Sequence, residues 1–463
     1  MEILESITEN IIELKTEDVI ELVCADHYVD ARKILVTMNE ADIALLFEEI
    51  PEEKILRVFR MLPKTLAAET FSYMISELQQ FIVESITERE IVSIVDEMFM
   101  DDTVDFLEEM PANVVKKVLK VTDPETRKMI NQLLKYPDDS AGSIMTTEYV
   151  DLKKEMTVYD AIAHIRATGV DKETINTCYV IDKERHLEGT VSIRKLILSQ
   201  PDEIISDIMI EEPMYIYTHD DQETSAHYFK KYDLLSMPVV DAEKRLVGII
   251  TIDDIVDVIE QETTEDIEMM AGMTPSDKSY IEEGVIETFK KRIIWLLLLM
   301  LTATFTGGIL ATFETSLAVY PALVAFIPML MGTAGNAGGQ SSVAVIRSLA
   351  LDEIEFRDIL KISWKEARVA AVSGLVMALV CFFKVMFIDS LYTHGIDIVV
   401  ALVVSAAIFS TVVLAKVVGC TMPMLAKKVG LDPAVMASPF ITTIVDALSL
   451  LIYFAIVSMV LPM

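Results

Sequence analysis

Five long apolar runs near the carboxyl end constrain this chain more than any other feature of its sequence. They lie at about residues 293–313, 318–346, 367–388, 396–422 and 434–461. Each run is close to the roughly 20 residues that an α-helix needs to cross a bilayer. Because a lipid-exposed segment must satisfy its own backbone hydrogen bonds, the runs predict a polytopic α-helical membrane domain with five spans over residues 292–463.

The Lys and Arg residues of the connecting loops all fall on one side of this domain. They precede the first run, or lie between the second and third runs or the fourth and fifth, at Lys290, Lys291, Arg292, Arg347, Arg357, Lys361, Lys365, Arg368, Lys427 and Lys428. Short loops rich in Lys and Arg stay in the cytoplasm. We therefore expect a multi-pass protein of the cell (plasma or inner) membrane, embedded in the lipid bilayer, with its N-terminus cytoplasmic and its C-terminus outside.

The negative charge of the chain is concentrated ahead of the membrane domain. Residues 1–290 hold 63 Asp and Glu against 28 Lys and Arg, whereas residues 291–463 hold 10 against 11. A surface this acidic repels nucleic acid and attracts cations, and so we expect no nucleic-acid partner. The four cysteines are far apart and include no CxxC pair, which indicates neither a zinc site nor a disulfide framework.

The last apolar run contains one carboxylate, Asp446, about a dozen residues from its start. A charge at this depth costs roughly several kcal/mol unless it is paired or hydrated, and a functional role is therefore the default interpretation. The run contains no Lys, Arg or His that could neutralise Asp446. A protonated Asp446 that bonds to a neighbouring helix is the structural alternative.

Two lysines also lie inside apolar runs. Lys384 and Lys416 are each within a turn or two of the end of a run. A long lysine side chain can extend along apolar surface until its ammonium group reaches water. We expect both lysines to do so and to have no role beyond anchoring their helices.

The second run ends in a glycine-rich segment, Pro328–Ser342. It has four glycines in eight residues, and Asn336 and Gln340 lie among them. Glycine disfavours helix, and irregular backbone at membrane depth is tolerated only where it is buried in protein or lines water. We expect freed carbonyl groups and Asn336 to offer oxygen ligands to a hydrated divalent cation. Close helix packing through small residues is the alternative.

Two segments ahead of the membrane repeat one pattern of short strands and amphipathic helices with a period of about 60 residues. The matching pieces are Ala141–Thr146, Met156–Ala161, Tyr179–Asp182 and Gly189–Ile193 in the first copy, and Ile205–Met209, Tyr217–Asp221, Met237–Asp241 and Gly248–Asp254 in the second. They resemble a tandem cystathionine-β-synthase (CBS) pair, an α/β regulatory module that often binds adenine nucleotides. We place the copies at 136–199 and 200–262.

The second copy carries the ribose-binding pattern of CBS domains. That pattern, Gly-x-x-Thr-x-x-Asp, is met by Gly248, Thr251 and Asp254, whereas Lys195 stands at the Asp position of the first copy. The resemblance therefore implies at most one intact nucleotide site, with ATP as its ligand.

Residues 1–135 read as short amphipathic helices separated by prolines. Leu45–Pro51 is echoed by Asp105–Pro111, and so we predict an acidic, all-α N-terminal solenoid. Asp101 and Asp105 are four residues apart, which puts two like charges on one helix face.

The densest negative charge comes immediately before the membrane. Eight acids lie within the sixteen residues 253–268, without one Lys or Arg. A solvated helix face normally mixes both signs, and this repulsion is costly unless cations relieve it. A plain acidic linker is the alternative. We predict a long connecting helix over 263–291.

These features in this order resemble the MgtE family of magnesium channels across essentially the whole chain. The specific matches are Pro328–Ser342, Gly430–Ala434 with Asp446 downstream, the CBS pair, and Thr263–Ile267 at the start of the connecting helix. The resemblance implies a homodimer with a pore between two membrane domains, a connecting helix that plugs the pore, and a hydrated Mg²⁺ held at Asp446 and Asn336. One departure is Gly339, which stands where the family often has a second Asn.

The resemblance also implies a Mg²⁺-selective or Mg²⁺-preferring channel for uptake that cytosolic Mg²⁺ closes. Mg²⁺ would then be both transported and regulatory, bound between the helical domain, the CBS pair and the connecting helix. The implied regulatory carboxylates are Glu69, Asp101, Asp105, Asp221, Glu223, Asp233, Asp254, Asp257, Glu262, Glu265 and Asp266.

Two other functions stay open. One is a carrier for Mn²⁺ or Co²⁺, because water-mediated ion binding is permissive toward small divalent cations. The other is a membrane receptor that senses nucleotides through its CBS pair, which would not need Asp446. An intramembrane enzyme is disfavoured, because the apolar runs contain neither paired aspartates nor a His, Cys and Ser constellation.

Overall fold

The computed structural model describes residues 14–276, 280, 283–392, 397–436 and 438–461. By its internal contacts the chain forms two units, Met1–Ile259 and Glu260–Met463. The first unit contains the helical domain and the CBS pair, and the second contains the membrane helices.

Short helices separated by tight turns make up the first 130 or so residues. They are α1 (residues 14–24), α2 (Tyr28–Leu35), α3 (Glu40–Glu49), α4 (Glu52–Phe59), α5 (Lys64–Ser72), α6 (Ser76–Ser85), α7 (Glu88–Val95), α8 (Met100–Glu109), α9 (Ala112–Val121) and α10 (Pro124–Leu133). Proline occupies the N-cap or first position of α4, α5, α9 and α10, where the helix N–H groups have no partner within the helix. Alternate helices stack, α3 on α5, α5 on α7 and α7 on α9. The predicted all-α solenoid is confirmed.

A row of aromatic rings runs through the core of the solenoid. The rings of Phe47, Phe59, Phe71 and Phe106 lie edge to face, with successive centroids 6.2, 6.3 and 5.1 Å apart. The same apolar core continues into the second CBS copy through Val258. In this structure α8 therefore packs into the same apolar core as that copy.

The CBS pair has two sheets of matching topology, with strand orders β1-β2-β3-β4 and β5-β6-β7. The strands are β1 (Asp151–Leu152), β2 (Thr177–Ile181), β3 (Leu187–Ser192), β4 (Ile210–Glu211), β5 (Ile216–Tyr217), β6 (Ser236–Val240) and β7 (Leu246–Thr251). The helices between and after them are α11 (Val158–Thr168), α12 (Ile193–Leu198), α13 (Ile205–Ile208), α14 (Gln222–Tyr232) and α15 (Ile252–Met270). In both sheets a parallel pair is followed by an antiparallel pair, which confirms the repeat.

Backbone pairing crosses between the two CBS copies in both directions. β4 is the first strand of the second copy but pairs with β3 of the first, and Thr146 of the first copy pairs with Ile249 in β7 of the second. The two copies are therefore joined through their backbones as well as through side chains.

The connecting helix differs from the prediction. It is α15, which starts at Ile252 inside the second copy and ends at Met270, so the predicted single helix over 263–291 is wrong. Gly272 has φ +72°, a left-handed conformation in which glycine ends helices without strain, and the Met273 N–H bonds back to the Glu268 carbonyl. Residues 277–279, 281 and 282 of the predicted helix lie outside the described residues.

Among its described residues, the second unit contains five helical segments long and apolar enough to cross a membrane, at Val285–Thr312, Pro321–Ala350, Phe356–Leu391, Ile398–Val429 and Pro433–Val460. Their α-helical parts are α16 (Val285–Thr312), α18 (Ile327–Ala350), α19 (Ile359–Phe387), α20 (Ile398–Val429) and α21 (Ser438–Val460), and the short α17 (Glu314–Val319) follows α16. The five predicted spans are confirmed.

The glycine-rich segment is helical throughout, contrary to the prediction of irregular backbone with free carbonyl groups. A side chain at Gly338 would lie 3.2 Å from the Ala415 carbonyl oxygen, and one at Gly419 would collide with the Gly338 carbonyl group. The glycines thus let α18 and α20 touch backbone to backbone. Close packing between membrane helices outweighs the weak helix propensity of glycine here.

Candidate cation sites in the two units

Asp446 lies within α21, and its side chain is half-buried. Its Oδ1 atom is buried and has no hydrogen-bond partner in the part of the chain that the structure describes. The preceding residue, Val445, is fully buried and packs against Gly338 on α18. A buried carboxylate oxygen is costly unless a proton, water or cation satisfies it. Asp446 can therefore act as a ligand for a cation that reaches this depth.

Asn336 belongs to a polar stripe on α18. Asn336, Gln340 and Arg347 recur on one face of this helix together with the small residues Gly332 and Ala344, and all five are exposed in the single chain. One turn before Asp446, Thr442 contacts α18 at Gly335, and so Asn336 and Asp446 lie on two helices in contact. Polar side chains at membrane depth face water or protein and not lipid.

The two membrane lysines behave differently. Lys384 is 43% exposed and pairs with Asp389 at 2.8 Å, as expected for an anchoring lysine. Lys416 is 8% exposed, and its ammonium group donates a hydrogen bond to Ser341 Oγ at 3.4 Å. The prediction that Lys416 reaches the surface is wrong, because α20 extends to Val429 and places Lys416 well inside the packed helices.

In the first unit, carboxylates from three elements face one another. Asp101, Asp102 and Asp105 lie on α8, Asp253 and Asp254 start α15, and Glu173 lies in the loop before β2; we name these six residues the carboxylate cluster, Asp101, Asp102, Asp105, Glu173, Asp253 and Asp254. Asp101 is 6% exposed, and its Oδ1 accepts the Asp102 N–H at 3.0 Å. Glu173 Oε2 is buried without a hydrogen-bond partner among the described residues.

Burial and mutual repulsion raise the pKa values in the cluster. Burial, with the neighbouring Asp254 carboxylate, raises the pKa of Asp101 well above its usual range. The same causes raise the pKa of Glu173 to about 8, and burial with Asp253 raises that of Asp102 to about 6. Burial also raises the pKa of Asp254 to about 6, although the Thr251 hydroxyl, which donates to Asp254 Oδ2 at 2.7 Å, opposes the rise.

Asp105 belongs to the rim of the cluster. Nearby protein atoms and the Asp254 carboxylate raise its pKa to about 7, yet its side chain is exposed to solvent. Solvent weakens the interactions of an exposed charge. Asp105 therefore contributes less to the repulsion than Asp101 does.

The cluster is not a preformed chelating site. Among the described residues, no three His, Cys, Asp or Glu side chains converge closely enough to hold a metal ion. Mg²⁺ dehydrates reluctantly and keeps several waters. The arrangement suits a hydrated dication that neutralises several carboxylates through its water shell.

Three of the cluster residues, Asp102, Glu173 and Asp253, were not among the site residues expected from the sequence. Asp102 and Asp253 are each next in sequence to an expected residue, and so the adjacent charges could have identified them as members of the site. Glu173 comes from a loop with no periodic pattern, and only the tertiary fold brings it to Asp254.

The other expected regulatory carboxylates are dispersed. Asp221 is the N-cap of α14 and accepts the Glu223 N–H at 2.8 Å, whereas Asp233 is the left-handed C-cap at the opposite end. At 1.5 Å per residue the two ends of α14 are about 17 Å apart, so one ion cannot bind all three. Glu69 is exposed on α5, and no described contact joins it to the cluster.

The remaining acids lie along α15. Asp257 is exposed on the part of this helix that belongs to the first unit, and Glu262 and Glu265 follow in the second unit. Burial raises the pKa of Asp266, and the Asp432 carboxylate adds to the rise. Asp432 lies in the Gly430–Ala434 turn, so a second pair of facing carboxylates exists where α15 meets the membrane helices.

The residues of the Gly-x-x-Thr-x-x-Asp pattern have structural roles in this chain that do not involve a nucleotide. A side chain at Gly248 would collide with the Thr146 carbonyl oxygen and Met145, and the Thr251 hydroxyl donates a hydrogen bond to Asp254. Asp254 also belongs to the carboxylate cluster, and so a ribose would have to compete for it. Nucleotide binding stays a prediction.

Family models match most of the chain. A divalent cation transporter model, MgtE, matches residues 327–456, the MgtE intracellular N domain matches 38–139, and CBS domains match 141–201 and 205–261. These ranges cover the last four membrane helices, the solenoid from α3 onward and the two CBS copies, and α16 lies outside them.

Curated relatives match over nearly their whole length. The magnesium transporter MgtE of Thermus thermophilus is 35% identical over 434 residues, which is 93% of this chain and 95% of that protein. The magnesium transporter MgtE of Bacillus subtilis is 32% identical over 92% of this chain and 93% of its own. A crystal structure of the soluble part of a magnesium transporter is 29% identical, has a TM-score of 0.52, and covers 54% of this chain and 99% of that one.

The order of domains, the five membrane helices and these similarities agree with the resemblance inferred from the sequence. The chain belongs to the MgtE family of divalent cation transporters, a family of membrane transport proteins and not of enzymes.

Proposed function

We propose that this chain is a Mg²⁺ channel that mediates uptake across the cell membrane and is closed by cytosolic Mg²⁺. Its relatives are named magnesium transporters. The observation that carries the transport proposal is the Asp446 carboxylate, half-buried in a membrane helix with one oxygen unsatisfied among the described residues. Such a group offers fixed negative charge to a dication.

The polar stripe of α18 supports a homodimer. Asn336 and Gln340 are exposed at membrane depth in the single chain, where lipid gives polar groups no hydrogen bonds. A second copy placed against this face would cover the stripe and line a path with two copies of Asn336 and Asp446. A path with so few carboxylates suits Mg²⁺ that keeps its waters.

The carboxylate cluster supports closure by Mg²⁺. Its members repel one another across α8, α15 and the loop of Glu173, and so the solenoid and the CBS pair approach each other against their charge. Mg²⁺ between the carboxylates turns this repulsion into attraction. A compact state that binds more Mg²⁺ than an extended one becomes populated as Mg²⁺ rises. α15 then carries the change from the cluster to the membrane helices.

Flux through the purified protein in liposomes tests the transport proposal. We predict that Asp446→Asn lowers Mg²⁺ flux at least about tenfold, because Asn keeps the size and hydrogen bonds of Asp but removes its charge. Asp397→Asn is the matched control, since Asp397 only caps α20 by accepting the Val400 N–H at 2.9 Å, and Asn also caps helices. Its flux should stay within about twofold of wild type.

Three results would count against the proposal. Near-wild-type Mg²⁺ flux in a well-folded Asp446→Asn protein would remove Asp446 from the path. Flux of Mn²⁺ or Co²⁺ without Mg²⁺ would favour the transition-metal carrier. Nucleotide binding without any divalent flux would favour the CBS-based receptor.

A further inference from the structure

Three membrane helices of this chain meet at a buried polar contact that the proposed ion path does not use. The Lys416 ammonium on α20 donates to Ser341 Oγ on α18 at 3.4 Å, and that hydroxyl donates to Glu366 Oε2 on α19 at 2.6 Å. Lys416 is 8% exposed, Ser341 is 1% exposed, and Glu366 is half-buried. We name Lys416, Ser341 and Glu366 the hydroxyl bridge.

The hydrogen bonds of the bridge can run in only one direction, from the Lys416 ammonium through the Ser341 hydroxyl to the Glu366 carboxylate. An ammonium group can only donate and an ionised carboxylate can only accept, whereas a serine hydroxyl does both. Ser341 is therefore the group through which the two opposite charges compensate each other, because they do not contact directly within the described residues. Removing one charge would leave the other uncompensated in a low-dielectric interior, which is strongly unfavourable.

The bridge lies beside a direct backbone contact between two membrane helices. Gly338, one turn before Ser341 on α18, presents its carbonyl group to Gly419, one turn after Lys416 on α20. Gly338 also packs against Val445, the neighbour of Asp446. A shift of α18 relative to α20 would therefore change the packing around Asp446.

An anchoring role alone does not account for Lys416. Lys384 is an anchoring lysine: 43% of its side chain is exposed, and it pairs with Asp389 at the end of its own helix. Lys416 instead reaches across to a neighbouring helix and gives up most of its contact with solvent. Within the described part of the chain, the bridge is the hydrogen-bonded contact that offsets the cost of burying this charge.

We propose that Lys416, Ser341 and Glu366 are positioning residues that fix α18 against α19 and α20 and thereby set the geometry of the cation path at Asn336 and Asp446. The inference rests on the proposed function of Asp446 as part of that path. The bridge does not touch the transported ion; it determines where the helices that do so are held.

Mg²⁺ flux through the full-length protein in liposomes tests the bridge with two single variants and their combination. We expect Lys416→Met and Glu366→Gln each to lower the maximal flux about tenfold, with the half-saturating Mg²⁺ concentration changed less than about threefold. The double variant has no uncompensated charge and should recover to within about threefold of wild type. A purely local packing role predicts no such recovery. Lys384→Met is the matched control and should stay within about twofold.

Ser341 provides an independent arm that leaves both charges in place. Ser341→Ala should lower maximal flux at least about threefold, and Ser341→Thr, which keeps the hydroxyl, should lose less. This arm decides the question where the single charge variants do not fold. Wild-type flux in Ser341→Ala, or a double variant whose loss equals the product of the single losses, overturns the bridge. Asp446→Asn measured alongside separates the two proposals, because retained flux there contradicts the path and not the bridge.

Discussion

At the scale of single residues, the unusual ionisation of this protein lies where carboxylates are crowded. Burial and the Asp253 and Asp254 carboxylates raise the pKa of Glu173 from its ordinary value of 4.5 to about 8. The unfolded chain therefore ionises Glu173 at lower pH than the folded protein does. The resulting loss of folded-state stability grows as the pH rises from about 4.5 to about 8, and it disappears on acidification.

We predict that Glu173→Gln raises the melting temperature of the first unit, Met1–Ile259, in metal-free, full-length protein at pH 8. The gain should shrink as the pH falls toward 5, because wild-type Glu173 is then protonated in the folded state. Water reduces the size of the effect, since the side chain is only partly buried. Scanning calorimetry at several pH values measures it.

Glu48→Gln is the control for this prediction. Its side chain is exposed on α3, and we expect no pH-dependent change in melting temperature. An equal gain for Glu173→Gln at pH 5 and pH 8 would show that repulsion within the carboxylate cluster is not the cause.

Sequence reasoning at this scale found residues whose surroundings are visible in the chain itself. Asp446 stands out because a charge interrupts an apolar run, and Asp254 because it lies in an unrelieved acidic run. Glu173 and the partners of Lys416 could not be found in this way, because residues distant in sequence form those contacts only in the folded chain.

At the scale of elements, hydropathy predicted the membrane helices but not how glycine is used within them. The glycine-rich segment was expected to be irregular from propensity alone, and it is helical because α20 packs directly against it. The predicted connecting helix over 263–291 followed from the family resemblance and did not take Gly272 into account. A left-handed backbone at Gly272 follows the end of α15 at Met270.

We predict that Gly419→Ala destabilises the membrane unit by about 1–3 kcal/mol, because the new methyl group collides with the Gly338 carbonyl group and forces α18 and α20 apart. Gly307→Ala is the matched control, since a side chain at Gly307 on α16 meets no atom of the chain within 4 Å. It should leave stability unchanged or slightly raised. Thermal unfolding in detergent compares the two, and equal stability of both variants would contradict the backbone contact.

At the scale of the whole molecule, the division into an acidic part and an apolar membrane part could be read from composition. The exact boundary could not, because α15 runs through it: the expected acidic part ended at residue 290, and the two units divide after Ile259. The sequence of one continuous helix does not indicate at which of its residues one folded unit ends and the next begins. The convergence of α8, α15 and the first CBS copy likewise depends on a shared core.

The central claim is that Mg²⁺ at the carboxylate cluster closes the channel. Inside-out membrane patches test it directly, because they allow the Mg²⁺ concentration at the cytosolic face to be varied while Mg²⁺ current is recorded. We predict that wild-type current falls at least about tenfold as cytosolic Mg²⁺ rises to about 10 mM. Asp30→Asn, which removes an exposed carboxylate paired with Lys33 outside the cluster, should behave like wild type.

The Asp101→Asn/Asp254→Asn double variant is the decisive comparison. It removes the most deeply buried cluster carboxylate of α8 and the carboxylate of α15 that faces it. We expect it to keep more than about half of its current at the same Mg²⁺ concentration, because less Mg²⁺ binds in the compact state. Closure of the double variant with the Mg²⁺ dependence of wild type would contradict the account.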